Sequence, residues 1–149
     1  MKAIIQRVSS ASVLVNGTSV GEIDSGLLIL LGIAPDDDDK DAEYLIQKII
    51  QMRIFPDGEG KMNRSVLDIK GQILVVSQFT LFAETKKGNR PSFIHGAPPA
   101  MAKEKYEQWV NALKLRFPFK VATGIFGADM KVSLVNDGPV TIAIDSKNP

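Results

Sequence analysis

The chain has 149 residues, a net charge of +1, 44% hydrophobic and 23% charged residues, and no cysteine. Such a length and balance fit a single domain over residues 1–149 with a real core, and argue against disorder. The missing cysteines exclude a disulfide framework, a thiol nucleophile and thiolate metal sites, and the near-neutral charge argues against holding nucleic acid by bulk electrostatics.

In chain order, Lys2 to Val8 and Ala11 to Val15 read as strands, and Asn16-Gly17 supplies a tight hairpin turn into a third, Thr18 to Ile23. Leu27 to Ile33 reads as a buried strand; the apolar run Leu27 to Ala34 is too short to span a bilayer. The opening Met1 to Arg7 turns polar too soon for a secretory signal, so a cytoplasmic location without membrane contact is expected. Pro35 and the run Asp36 to Asp39 place negative charge where a helix begins. Ala42, Leu45, Ile46, Ile49 and Arg53 then share one side at helical spacing, widened by Ile50, and Pro56-Asp57-Gly58 closes the unit. Gln72 to Phe82 reads as a second central strand. Pro98-Pro99 opens a second helix with Ala102, Tyr106, Trp109, Val110 and Leu113 as its buried stripe. Lys120 to Phe126, Lys131 to Val135 and Val140 to Ile144 finish as short strands. The expected fold is α/β, a compact domain of mixed β-sheets, sandwich or partly open barrel, with two main helices.

Three segments carry chemistry. In Ile73 to Phe82, the polar Ser77, Gln78 and Thr80 interrupt the most apolar run, and each needs a partner if the strand is buried. Strand alternation puts Ser77, Phe79 and Leu81 on one face and Gln78 and Thr80 on the other. The pattern fits a core strand with satisfied polar groups, or a strand ending at a site where amides and hydroxyls meet a ligand. Asn136-Asp137-Gly138-Pro139 between two β-rich runs reads as a turn, whose X-Pro bond is open to either isomer. The loop Thr85 to Phe93 carries Lys86, Lys87 and Arg90, suited to phosphate contacts or simply to solvent.

Other features are poorer candidates. The run Asp36 to Asp39 lacks the alternating ligands and central glycine of a calcium loop. A single histidine, His95, removes any multi-histidine metal site, and nothing ties it to a serine or threonine as a base. No metal and no cofactor are expected.

With Ser77-Gln78-Phe79-Thr80-Leu81 and Asn136-Asp137-Gly138-Pro139-Val140-Thr141 in view, the chain resembles the D-aminoacyl-tRNA deacylases of the bacterial and eukaryotic type. Met1 to Val13 and Gly88-Asn89-Arg90-Pro91-Ser92-Phe93 resemble the same family, and the likeness covers essentially the whole chain. The resemblance implies a homodimer that hydrolyses the ester joining a D-amino acid to the terminal adenosine of tRNA, without binding DNA. It implies a pocket lined by Ser77, Gln78, Phe79 and Thr80, and a Gly-cisPro motif at Gly138 and Pro139 that enters the partner's pocket and excludes L-amino acids. Arg7 matches the arginine that helps hold that motif. Glycine has no side chain to exclude, so glycyl-tRNA mischarged on tRNA-Ala is an expected substrate as well.

An aminoacyl ester is already activated, so oxyanion stabilisation and a positioned nucleophile suffice. Backbone N–H groups around Phe79 and Thr80 are the candidate donors, with water as nucleophile and assistance from the 2′-hydroxyl of the terminal ribose. Thr80 as a covalent nucleophile is the alternative chemistry. A module that binds RNA ends or dimerises without catalysis is the alternative of a different class.

Overall fold

A computed structural model describes all residues, Met1–Pro149. It contains the strands β1 (Lys2–Val15), β2 (Thr18–Ile23), β3 (Gly26–Gly32), β4 (Phe55–Pro56), β5 (Met62–Arg64), β6 (Gln72–Ser77), β7 (Val121–Thr123) and β8 (Lys131–Asp145). Two helices, α1 (Asp39–Gln51) and α2 (Pro99–Arg116), and a 3₁₀ turn at Phe79–Phe82 complete it. The main sheet runs β2-β1-β3-β6-β7, with β8 along the other side of β1. Strands β3, β6 and β7 are mutually parallel, whereas β2, β3 and β8 are antiparallel to β1. The sheet curls until β2 meets β7: a Cβ added at Gly21 would lie 2.4 Å from the Thr123 carbonyl oxygen, so only glycine permits the approach. This is the mixed-sheet, partly open barrel with two helices expected from the sequence.

Strand alternation divides the apolar side chains between two cores. Ala3, Ile5, Leu27, Ile29, Leu31, Ile73 and Val75 face the helices, where they meet Leu45, Ile46 and Ile49 of α1 and Trp109 and Leu113 of α2. Val8, Val13, Leu28, Leu74 and Val76 fill the inside of the curl. Burial on both faces explains why Leu27 to Leu31 and Ile73 to Val76 read as continuous apolar runs. The acidic run starts α1 as expected. Asp38 caps the helix, accepting from the Lys40 and Asp41 amides at 2.9 and 3.1 Å, while the Asp41 carboxylate accepts from the Asp38 amide at 2.9 Å. No helix is long and apolar enough to cross a membrane.

Several boundaries differ from the sequence expectation. Val8 and Ala11 belong to one strand, β1, whose pairing with β8 shifts register between Val8 and Ser10. Arg53 lies beyond the end of α1 and off its apolar stripe, because the helix stops at Gln51 with Met52 extended. The Pro56-Asp57-Gly58 turn joins a small hairpin of β4 and β5. The strand expected over Lys120 to Phe126 covers only Val121–Thr123.

The two largest corrections fall on the segments that carry chemistry. The strand expected over Gln72 to Phe82 ends at Ser77, and a 3₁₀ turn follows, so strand alternation does not apply to Phe79 and Leu81. The run expected as strand, turn and strand from Lys131 to Ile144 is one strand, β8, paired with β1 along both halves. Gln6 pairs with Thr141 and Val8 with Asn136, so Arg7 faces a four-residue bulge, Asp137 to Val140. The chain does not reverse there, because pairing with β1 resumes at Thr141, and the Asn136 side chain closes the bulge internally. Its Oδ1 accepts from the Val140 amide at 3.1 Å and its Nδ2 donates to Thr141 Oγ1 at 2.9 Å.

Candidate functional site

Parallel strands present their carboxyl ends together, and ligands of α/β sheets gather outside such ends. Here β6 ends at Ser77, which pairs with Leu31 near the end of β3, while Val75 pairs with Thr123 at the end of β7. The 3₁₀ turn begins at this edge. Gln78 donates its amide to the Leu31 carbonyl at 2.8 Å, which ties the turn to β3. Bonds within the turn start with the Leu81 amide to the Gln78 carbonyl at 3.3 Å. A helical start leaves its first amides without partners inside the helix, and these are the amides of Phe79 and Thr80. Gln78 supplies no side-chain cap; its Nε2 instead donates to Thr80 Oγ1. Phe79 and Thr80 are both exposed. Free N–H groups thus lie next to hydroxyls where β6 ends.

Sequence reasoning missed the neighbours that the third parallel strand brings to this edge. The Gly124 amide donates to the Val75 carbonyl at 3.1 Å, and the Tyr106 hydroxyl donates to the same carbonyl at 3.0 Å. Burial pushes the Tyr106 phenol above its ordinary range, so it stays a neutral donor. Its ring lies 5.8 Å from that of Phe126. A cleft of about 490 Å³ opens here between α2 and the segment after β7, lined by Tyr106, Val110, Thr123, Gly124 and Phe126 among others. The glycines of Thr123-Gly124-Ile125-Phe126-Gly127 were the available signal, since glycine directly after a strand marks a turn.

The second motif is held differently. The Gly138-Pro139 peptide is cis, and Gly138 has φ +126. Arg7 is 9% exposed and grips the corner from β1. Its Nε donates to the Asp137 carbonyl at 3.0 Å and its Nη1 to the Ile54 carbonyl at 2.6 Å, with the Asp137 carboxylate 3.5 Å away. A Cβ on Gly138 would stand 2.7 Å from Arg7 Nη2, so the arginine occupies the space that any other residue would need.

The two motifs do not meet within one chain. Arg7, opposite Gly138, pairs with Leu27, whereas Ser77 pairs with Leu31. Four residues of strand separate the two levels by about 13 Å, before the strands that lie between β8 and β6 are counted.

Lys86, Lys87 and Arg90 lie exposed in a loop closed by the Glu84 and Ser92 backbones, paired at 2.7 and 2.9 Å. His95 Nε2 faces Glu84 Oε2 at 2.9 Å rather than a serine or threonine. No three His, Cys, Asp or Glu side chains converge as a metal site.

Comparison with known proteins places this architecture. A family profile described as D-Tyr-tRNA(Tyr) deacylase matches residues 4–145. A D-aminoacyl-tRNA deacylase of Thermosipho africanus is 57% identical over 99% of this chain and 98% of its own length. Its namesake in Desulfatibacillum aliphaticivorans is 55% identical over 99% of this chain and 100% of its own. Among solved structures, a c-Myc DNA unwinding element binding protein superposes with a TM-score of 0.92 at 41% identity, covering 97% of this chain and 98% of that one. The structure of a probable eukaryotic D-amino acid tRNA deacylase shares the fold, with a TM-score of 0.81 at 16% identity over 96% of this chain and 97% of that one. The chain belongs to the D-Tyr-tRNA(Tyr) deacylase family.

Proposed function

We propose that this protein hydrolyses the ester of D-aminoacyl-tRNA in the cytoplasm, as a homodimer whose two sites are each built from both copies. The observation that carries the reading is the pair of free amides at Phe79 and Thr80, on the carboxyl edge of three parallel strands. Attack on the aminoacyl carbonyl puts negative charge on its oxygen, and two preset N–H donors stabilise that charge. Water attacks, assisted by the 2′-hydroxyl of the terminal ribose, and the tRNA 3′-oxygen leaves with a proton. Ser77 and Gln78 shape the pocket, and Lys86, Lys87 and Arg90 contact the RNA end.

The separation of the two motifs supports the dimer, since only another copy's Gly138-Pro139 corner can approach this pocket. Strand β8 pairs with β1 alone, so its second edge is free along its length for a second copy. The corner excludes L-amino acids near the α-carbon, a geometry common to all substrates, and so needs no grip on varied side chains. Glycine passes such a filter, which extends the substrates to glycyl-tRNA mischarged on tRNA-Ala.

Thr80 is poorly placed as a covalent nucleophile: its hydroxyl is engaged by Gln78, and His95 is engaged by Glu84. Ester loss from D- and L-aminoacyl-tRNA in the presence of pure protein tests the proposal. Rapid loss of the D ester alone is expected. Equal loss of both, or of neither, overturns it.

A further inference from the structure

The 3₁₀ turn and the loop after it carry exposed side chains that the deacylase reading uses only in part. Phe79, Phe93 and Ile94 are 59%, 38% and 76% exposed, an unusual density of bare apolar surface. The Phe79 and Phe93 rings meet edge to face with centroids 5.2 Å apart, so they form one patch. The loop between them holds Lys86, Lys87 and Arg90, and none of the three takes part in an ion pair. The acid at the loop's base, Glu84, is already engaged by His95. With a net charge of only +1 on the whole chain, this is a local concentration of free positive charge beside bare aromatic rings.

We infer that this patch is a stacking platform for the unpaired nucleotides that precede the terminal adenosine of the substrate, with their phosphates on Lys86, Lys87 and Arg90. The inference rests on the deacylase reading and deepens it. Proteins that hold single-stranded nucleic acid pair these two elements, a cationic track for the backbone and aromatic faces for the bases. A tRNA ends in such a single strand. A second copy of the chain is the poorer occupant, because its acidic run is engaged elsewhere. Asp37 holds the N-terminal ammonium, Asp38 caps α1, and Asp36 lies beside Lys147. Of that run only Asp39 is left without a partner, one acid against three free cations.

The test compares D-tyrosyl-tRNA with D-tyrosyl-adenosine, which presents the same ester without the preceding nucleotides. The readout is the ratio of the two kcat/KM values. In Phe93→Ala this ratio falls about tenfold, through KM, the size of one lost base stack. Phe93→Trp restores it. A ratio unchanged in a folded Phe93→Ala overturns the platform. So does a shift in sedimentation without a change in ratio, which assigns the patch to contact between copies. If the wild-type protein cleaves neither ester, the deacylase reading has failed by itself. An uncharged oligonucleotide ending in CCA, titrated by fluorescence anisotropy against wild type and Phe93→Ala, then decides the platform separately. A Kd about tenfold weaker in the variant supports it, and equal values overturn it.

Discussion

The pocket edge at Ser77 to Thr80 and the corner at Gly138-Pro139 treat their backbone polar groups in opposite ways. At the edge, the chain leaves β6 after Ser77 and starts a 3₁₀ turn whose first amides, Phe79 and Thr80, have no partner within it. At the corner, the Asp137 carbonyl is held by Arg7, and the bulge is closed by both ends of the Asn136 side chain. The difference follows from the tasks proposed for them. A group that stabilises developing charge must be available to substrate, whereas a steric filter must not move. On that proposal one region acts through donors kept free and the other through a shape kept fixed.

The contrast breaks most severely where the free donor itself is removed. Thr80→Pro deletes the amide yet suits the first turn of a helix, and kcat on D-aminoacyl-tRNA is expected to fall by about 10²–10³. Thr80→Ala keeps the amide, and its loss is expected to stay within about fivefold, since only the hydroxyl contact with Gln78 is gone. A dead Thr80→Ala with a partly active Thr80→Ser, or an acyl group trapped on Thr80, reverses the assignment. The same variant tests the shared site. Gly138→Val spoils the corner and Thr80→Pro the pocket, so a mixed dimer contains one site with both halves intact. Verified mixed dimers should then show wild-type D-to-L discrimination at about half the wild-type rate, where Gly138→Val alone has lost that discrimination. No recovery in verified mixed dimers counts against a site built from two copies.

The corner responds next. In Gly138→Ala, the new Cβ would stand 2.7 Å from Arg7 Nη2 on a backbone at φ +126, so either the arginine or the corner must shift. The rate ratio for D- over L-aminoacyl-tRNA is expected to fall tenfold or more, about the effect of 1.4 kcal/mol at the filter. An unchanged ratio in a folded variant removes the corner from chiral selection. Arg7→Ala leaves the Ile54 and Asp137 carbonyls without their donor, at a cost of about 2–4 kcal/mol in stability by urea denaturation, with a similar loss of discrimination.

What could be read in the sequence divides along the same line. Both apolar stripes, the acidic start of α1 and most strands are periodic or local signals, and they lie where expected. The two functional segments were misread in form because a local pattern was overruled by a distant partner. Val-Val-Ser-Gln-Phe-Thr-Leu-Phe alternates like a strand, but β7 supplies partners only as far as Val75, and a 3₁₀ turn replaces the ladder after Ser77. Asn-Asp-Gly-Pro has the composition of a chain reversal, but continued pairing with β1 and the filling of the bulge by Arg7 keep the strand going. The Ile54 carbonyl that anchors Arg7 lies 47 residues away in sequence, and no local pattern announces it. The link between Arg7 and the Gly138-Pro139 segment was expected from the family resemblance, not from spacing, and Arg7 does bond the Asp137 carbonyl beside them.

The smallest effect is expected where polar groups are tied as firmly as at the corner but serve no proposed chemistry. At the start of α1, Asp41 Oδ2 accepts from Lys147 Nζ at 2.7 Å as well as from the Asp38 amide, joining the helix to the end of the chain. Burial alone would raise this carboxyl, but bonds from Lys147, the Asp38 amide and Ser146 hold it well below the usual carboxylate range. A carboxylate whose folded pKa is depressed adds stability that is complete above its unfolded value, about 3.9, and lost as pH falls toward the folded value. Asp41→Asn keeps the shape and removes the titration. Its Tm at pH 7 should lie about 2–4 °C below wild type. Between pH 4 and 2 the wild-type Tm should fall more steeply, so the two curves converge under acid. The D-to-L ratio at neutral pH, proposed to depend on the corner, should not move. Parallel Tm curves down to pH 2 would show that Asp41 does not carry this part of the acid response, and a changed D-to-L ratio would couple the start of α1 to the filter.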